Sequence, residues 1–163
     1  MSDRPHAPQR VEIERKFLLA ALPEDIDRHP HGDLEQGYLA VADDGVEVRV
    51  RRSGNDHVLT VKSGPGLVRV EEEMPIDARR FTSLWELTRG RRLAKTRYLV
   101  DIGDGLEAEV DVYHETLSGL LTAEIEFPSE EASLAFVPPA WLGTEVTGDA
   151  RYANRSLATD GAP

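Results

Sequence analysis

Charged side chains recur two residues apart along this sequence of 163 residues, and the repeats differ in sign. Glu12, Glu14 and Lys16 come first; Arg49 and Arg51, Glu71 and Glu73, Lys95 and Arg97, Glu109 and Asp111, and Glu124 and Glu126 follow, with Lys62 among them. Gathered into one space, Lys16, Arg49, Arg51, Lys62, Lys95 and Arg97 would concentrate positive charge where water is scarce, at a high desolvation cost unless an anion compensates. Such a site calls for a polyanion, and guanidinium forks and ammonium groups suit the row of oxygens on a triphosphate. The acids cannot hold phosphate directly. Glu12, Glu14, Glu124 and Glu126 instead offer the hard oxygen donors that Mg²⁺ or Mn²⁺ prefers, with phosphate completing the shell. For Glu71, Glu73, Glu109 and Asp111 three roles stay open: binding a second metal, orienting the bases, or polarising a water. Lys95 and Tyr38 are the candidate pair for activating that water, since a nearby ammonium lowers a phenol's pKa. With Glu14 they make up the candidate catalytic set. The competing reading of Tyr38 is a packed strand tyrosine.

These residues need elements that bring them together. Alternating apolar and polar residues separated by turn chemistry predict eight strands, near residues 11–19, 36–41, 45–52, 57–62, 67–75, 93–102, 106–114 and 121–128. Side chains two apart on a strand share a face, so each repeat lies opposite an apolar set such as Ala123, Ile125 and Phe127. A single Glu-x-Glu is ordinarily the water-facing side of an amphipathic strand. Repetition of the pattern, with sign sorted by strand, points instead to a closed antiparallel barrel with its charges inward. Apolar residues at helical spacing over 78–88 predict a helix, Ser129 caps a shorter one, and a last helical turn is expected over 150–158. Such helices need an apolar surface, and the uncharged strand faces would supply it on the outside of the barrel. The fold class is therefore α+β: an eight-stranded antiparallel closed β-barrel with helices packed outside.

Composition narrows the function. A formal charge of -11 argues against a nucleic-acid binder, since a phosphate backbone demands a basic footprint. Cysteine is absent, which excludes disulfides and a thiolate nucleophile and suits a reducing cytoplasm. Residues 1–10 lack the apolar run of a signal peptide or membrane span, so a cytoplasmic chain without membrane contact is expected. His29 and His31 stand in a polar connector with no carboxylate at ligand spacing, and the Gly64-Pro65-Gly66 turn lacks the ending of a P-loop.

The signature Glu12-x-Glu14-x-Lys16 resembles that of the CYTH superfamily, also called triphosphate tunnel metalloenzymes. The likeness continues through Gly37-Tyr38-Leu39, Arg49-x-Arg51, Thr60-Val61-Lys62, Arg69-x-Glu71-x-Glu73, Lys95-Thr96-Arg97-Tyr98, Glu109-Val110-Asp111 and Glu124-Ile125-Glu126. Glu145-Val146-Thr147 and Arg151-Tyr152-Ala153-Asn154 extend it to the C-terminal part. The resemblance implies a flexible extension over 1–10, a single CYTH domain over 11–158 and a tail over 159–163. It implies a tunnel whose first and last Glu-x-Glu pairs bind metal and whose basic residues hold a small-molecule triphosphate, and it is compatible with a homodimer. Small members of this kind are commonly tripolyphosphatases. A class IV-type adenylyl cyclase or a thiamine triphosphatase would use the same tunnel. The basic strands alone would satisfy a polyphosphate- or nucleotide-binding module, but the carboxylate pairs speak against it.

Overall fold

The structure is a computed structural model that describes residues 13–62 and 71–163. Glu12, Arg69, the extension over 1–10 and the Gly64-Pro65-Gly66 turn lie outside the described residues. Nine strands and three α-helices follow one another: β1 (Ile13–Leu18), β2 (His31–Val41), β3 (Glu47–Ser53), β4 (Asp56–Lys62), β5 (Glu71–Pro75), α1 (Ala78–Glu86), β6 (Arg92–Gly103), β7 (Leu106–Tyr113), β8 (Leu121–Phe127), α2 (Glu130–Ala135), β9 (Thr144–Glu145) and α3 (Asn154–Asp160). The chain is thus α+β, as its patterning implied. All strands join one antiparallel sheet in the order β5-β4-β3-β2-β6-β7-β8-β1-β9.

Two features of the expected barrel are corrected. The sheet has nine strands rather than eight, and among the described residues no ladder joins β5 to the far edge, so it is not closed. The reason lies in what takes the free side of β1. Phe17 and Leu18 pair with the two-residue β9, Val146 N–H donates to the Lys16 carbonyl (2.8 Å), and Lys16 N–H donates to Thr147 Oγ1 (3.0 Å). The C-terminal segment thereby satisfies backbone groups that closure would have paired with another strand. β2 also begins earlier than its alternation suggests, because His31–Gly37 pairs with β6 while Leu34–Val41 pairs with β3.

The alternation sorts the two sheet faces as expected. Phe17, Val110, Ala123, Ile125 and Phe127 are buried on the convex face, covered by Leu19, Ile26, Leu142 and, at the margin, Phe136 and Trp141. Phe136 leans on Phe127 at a centroid distance of 5.2 Å. Arg15 ties this layer together. It donates to the carbonyls of Ser133 (3.0 Å) and Phe136 (3.1 Å), and its guanidinium meets both Glu145 oxygens at 2.9 and 2.7 Å, which anchors α2 and β9 to β1. α1 starts at the N-cap Asp77, which accepts from Arg80 N–H (2.8 Å), and lays Phe81 against His57 and the Arg52 guanidinium.

α3 departs from the expectation that the helices pack outside. Its buried Leu157 and Ala158 cluster with Tyr38, Leu93, Tyr113 and Leu117. Tyr38, Leu93 and Tyr113 belong to the charged faces of β2, β6 and β7 by their alternation with Gln36, Lys95 and Asp111. The concave face therefore carries an apolar end, and α3 sits on it. Among the described residues no helix is long and apolar enough to cross a membrane.

The start of β2's cavity-lining half depends on one close approach. A Cβ at Gly37 would stand 2.5 Å from Thr88 Oγ1 and 2.7 Å from Thr88 Cβ. Thr88 is fully buried and bonded to the Trp85 carbonyl (2.7 Å) and Arg92 Nε (2.9 Å), so it has nowhere to retreat. Gly37→Ala is expected to destabilise the fold by ~1–3 kcal/mol, the usual cost of overpacking. Urea denaturation of the two proteins checks it, and equal midpoints would refute it.

Candidate active site

The concave face encloses a cavity of about 650 Å³ whose wall takes side chains from β1 to β8 and whose rim is formed by parts of the 146–155 segment. Among the described residues its lining holds seven cations (Lys16, Arg49, Arg51, Lys62, Lys95, Arg97, Arg155) and eight carboxylates (Glu14, Glu47, Glu71, Glu73, Glu109, Glu124, Glu126, Asp149). All six cations singled out from the sequence reach this one space. So do Tyr38 and every described candidate acid except Asp111.

Cations and acids on neighbouring strands neutralise one another. Lys16 meets Glu124 (2.7 Å), Lys62 meets Glu71 (2.9 Å), Arg49 meets Glu71 (3.3 Å), and Arg51 meets Glu73 (3.1 Å). Asp111 stands behind the wall, its side chain 0% exposed. It accepts from Lys95 Nζ (2.6 Å) and from Arg97 Nε and Nη2 (2.8 Å each), and Arg97 also reaches Glu109 and Glu124. Of the roles left open for Asp111, orienting the bases matches this position. Among the described residues two buried side-chain polar atoms make no hydrogen bond, Arg49 Nε and Thr122 Oγ1, and of these residues Arg49 lines the cavity. A buried donor left unpaired beside a cavity is a ready contact for an anionic oxygen.

Burial and charge set the ionisation of these groups. Burial raises the Glu124 carboxyl, but Lys16, Lys95 and Arg97 more than reverse it, taking it from an ordinary 4.5 to about 2. Burial also opposes ionisation of Glu71, and Lys62, Arg49 and Arg51 prevail, leaving it lowered. For Glu109 burial wins: with Glu124 and Asp111 adding repulsion, its pKa is raised despite Arg97. Desolvation lowers Lys95 although Asp111 pulls the other way. Tyr38 is 1% exposed, and burial pushes its phenol up, with only partial relief from Arg49. Its oxygen accepts from Gln36 Nε2 (2.6 Å), while Lys95 is engaged with Asp111. These surroundings do not give Tyr38 the lowered pKa that a water-activating base needs.

The acids gather toward one side. Glu14 stands opposite Glu126 and Glu109 opposite Glu124 in the strand ladders, each pair on the concave face. A smaller hollow of about 340 Å³ shares Glu14, Glu109, Glu124 and Glu126 with the cavity and adds Glu107, so its charged lining is wholly acidic. Like charges directly opposite one another are destabilising in a sheet unless a cation intervenes. Donor type and register thus fit a hard divalent cation. Among the described residues, however, no group of three or more His, Asp or Glu side chains is drawn tightly enough together to hold one as they stand, since Glu124 is turned toward Lys16 and Arg97.

Sequence reasoning gave Glu47 and Gln36 no role, and of the 146–155 segment it placed Val146, Thr147 and residues 151–154 in the family resemblance without assigning them to the cavity. Glu47 stands opposite Lys62 and lies 4.0 Å from Arg49. Gln36 was visible as the residue two before Tyr38 on the same face. The segment's polar run, Thr147, Asp149 and Asn154 ahead of Leu157, was visible too, but no period tied it to the strands.

A curled antiparallel sheet whose concave face joins triphosphate-type cations to paired acids defines a class, and comparison with known proteins agrees. The chain belongs to the CYTH superfamily of triphosphate tunnel enzymes, together with the inorganic triphosphatases. It is 48% identical over 149 residues to the inorganic triphosphatase of Nitrosomonas europaea, covering 91% of this chain and 97% of that one. The inorganic triphosphatase of Acetivibrio thermocellus is 37% identical over 149 residues, with 90% and 92% covered. A solved crystal structure of an inorganic triphosphatase superposes with a TM-score of 0.73 at 44% identity, covering 91% of this chain and 94% of that one. No family model matches the chain.

Two outcomes follow from the buried charges. Asp111→Ala leaves the buried Lys95 without its acid and takes one of three carboxylate partners from Arg97, and it is expected to cost ~3–5 kcal/mol, measured by urea denaturation. A loss under about 1 kcal/mol, roughly a third of the low end, would contradict the pairing. Glu124 has its pKa lowered on folding, so its contribution is present above about 4.5 and is lost as pH falls toward about 2. In metal-free buffer the melting temperature should therefore drop across that window, and Glu124→Gln, less stable at neutral pH, should drop less.

Proposed function

We propose that the protein hydrolyses inorganic tripolyphosphate to pyrophosphate and phosphate, assisted by Mg²⁺ or Mn²⁺. Convergence of the cationic strands and the opposed carboxylates on one cavity carries this conclusion. The names of the two curated relatives support the substrate. The wall supports it as well: charged side chains dominate, and apolar lining is limited to Leu34, Val146 and small residues beside two tyrosines. A nucleobase or thiazolium ring would gain little there.

The charge balance supports a metal. Among the described residues eight carboxylates face seven cations, a balance that by itself offers a pentaanionic or tetraanionic chain no net attraction. Glu14, Glu124 and Glu126 would hold the divalent ion, and Glu12, outside the described residues, is proposed as their companion. When bound, the ion neutralises phosphoryl oxygens and orients attacking and leaving groups. Lys16, Arg49, Arg51, Lys62, Lys95 and Arg97 bind the phosphate row and hold it in line, which is most of what phosphoryl transfer requires. Water adds to the terminal phosphorus as its bridging P–O bond breaks; pyrophosphate departs with that electron pair, and the proton released from water passes to solvent or a product oxygen. Asp111 fixes Lys95 and Arg97, and Glu71 and Glu73 fix the Arg49–Arg51–Lys62 group. Tyr38 and Gln36 hold the Arg49 side of the wall.

Purified protein incubated with tripolyphosphate, thiamine triphosphate, ATP and GTP, each with Mg²⁺ or Mn²⁺, should release pyrophosphate and phosphate fastest from tripolyphosphate. Absence of turnover on every substrate would sink the hydrolase reading, and cyclic nucleotide from ATP would replace it by a cyclase. Glu14→Ala and Glu126→Ala should each lose at least about 100-fold in metal-dependent kcat, the upper end of the loss from a residue supporting a metal. Chelator should abolish the wild-type rate.

A further inference from the structure

The cavity's cations are not equivalent. Six of them face carboxylate partners built into the wall: Lys16 with Glu124, Lys62 and Arg49 with Glu71, Arg51 with Glu73, and Lys95 and Arg97 with Asp111. The seventh, Arg155, lines the same space and is partly buried, yet its guanidinium makes no ion pair or hydrogen bond among the described residues. Its backbone carbonyl alone is engaged, accepting from Thr159 Oγ1 (3.1 Å).

The main chain that carries Arg155 is fixed on both sides. Immediately before it, Asn154 Oδ1 accepts from the buried Tyr113 hydroxyl (2.8 Å), and the Tyr152 carbonyl accepts from Lys16 Nζ (2.8 Å). Two residues later, Leu157 is buried against Tyr38, Leu93 and Tyr113. An arginine held at a cavity wall by this much surrounding structure, but given no acid of its own, has lost hydration without gaining an internal counter-charge. A phosphate group would supply that counter-charge, with the planar fork donating to two oxygens.

We propose that Arg155 is a further anion-binding residue of the cavity, contacting a phosphate group of the inorganic polyphosphate chain from the α3 side. The proposal rests on the triphosphatase reading and deepens it. The paired cations exchange a carboxylate for a phosphate when substrate enters, so each gains only a difference. Arg155 exchanges water for phosphate and gains the whole contact. Its loss should consequently appear in substrate capture more than in the chemical step.

Steady-state kinetics on tripolyphosphate at saturating Mg²⁺ test this with wild type, Arg155→Ala, Arg155→Lys and Arg151→Ala. Arg151 is exposed and paired with Asp149 (2.6 Å), which makes it the neighbouring cation with a partner. Arg155→Ala should raise KM about tenfold or more, the scale of one hydrogen bond between charged groups, with kcat within about twofold and an unchanged melting temperature. Arg155→Lys should recover only the part of the loss that charge without the two-oxygen fork can supply, and kcat/KM of the Ala variant should fall less steeply with added salt. An unchanged KM in Arg155→Ala, an equal rise in Arg151→Ala, or a lower kcat and melting temperature at constant KM overturns the role of Arg155 while leaving the triphosphatase reading intact. Wild-type protein that does not hydrolyse tripolyphosphate overturns both.

Discussion

A carboxylate with no solvent exposure, held between an ammonium and a guanidinium, anchors the concave face. Asp111 pairs with Lys95 and Arg97 at once, Glu109 and Glu124 sharing the Arg97 charge, and Lys95 is itself only 3% exposed. Burying two cations two residues apart on one face of a strand would otherwise carry a desolvation cost of several kcal/mol per ion. The pairing fixes geometry as well as charge, because the Arg97 fork is gripped through two nitrogens and cannot rotate away. Around this centre the sheet can turn its charged side inward and still fold. Its apolar side is then free to carry Phe17, Val110, Ala123, Ile125 and Phe127 into the main core.

The C-terminal segment solves two problems that follow from this inversion. A curled sheet leaves an edge at β1 and an apolar end on its concave face. β9 and Val146 occupy the edge, and Leu157 and Ala158 cover the end, with Arg15 and Asn154 fastening the segment from opposite sides of the sheet. The stretch from Thr144 to Asp160 thereby supplies edge protection, a cover for the apolar end and part of the cavity wall.

Strand alternation was legible in the sequence because it is a local property: Glu124, Glu126 and their apolar neighbours announce both faces of β8 within 7 residues. Hence six cations and most acids could be placed on a common face before any contact was known. Closure was not legible in the same way. It depends on which segment reaches the free side of β1, and two-residue β9 carries no periodic signal. α3 was read as a helical turn, but its side of the sheet was set by Leu93, Tyr38 and Tyr113, which interrupt a face that otherwise looks uniformly charged. Asp111 looked like any other acid in a Glu-x-Asp pair. Only packing separates it from Glu109, which stays at the wall. The raised pKa of Tyr38 likewise comes from burial beneath α3, a long-range consequence that an ammonium nearby in sequence pattern could not reveal.

A wall that pairs its own charges also accounts for the interleaving of the proposed anion and cation sites. Seven cations alone would favour the anion but would repel one another in its absence; eight acids alone would do the same for a metal. Interleaving lets the empty cavity approach neutrality, so folding does not await a ligand. It also links the two kinds of binding. Lys16 and Arg97 hold Glu124, and an oxygen anion that draws those cations toward itself releases a carboxylate beside Glu14 and Glu126. Sorting the signs by strand, with the acidic β7 and β8 between the basic β6 and the mixed β1, sets acids beside the cations that pair with them. The folded state thus stores, as ion pairs, the groups that the proposed reaction would use.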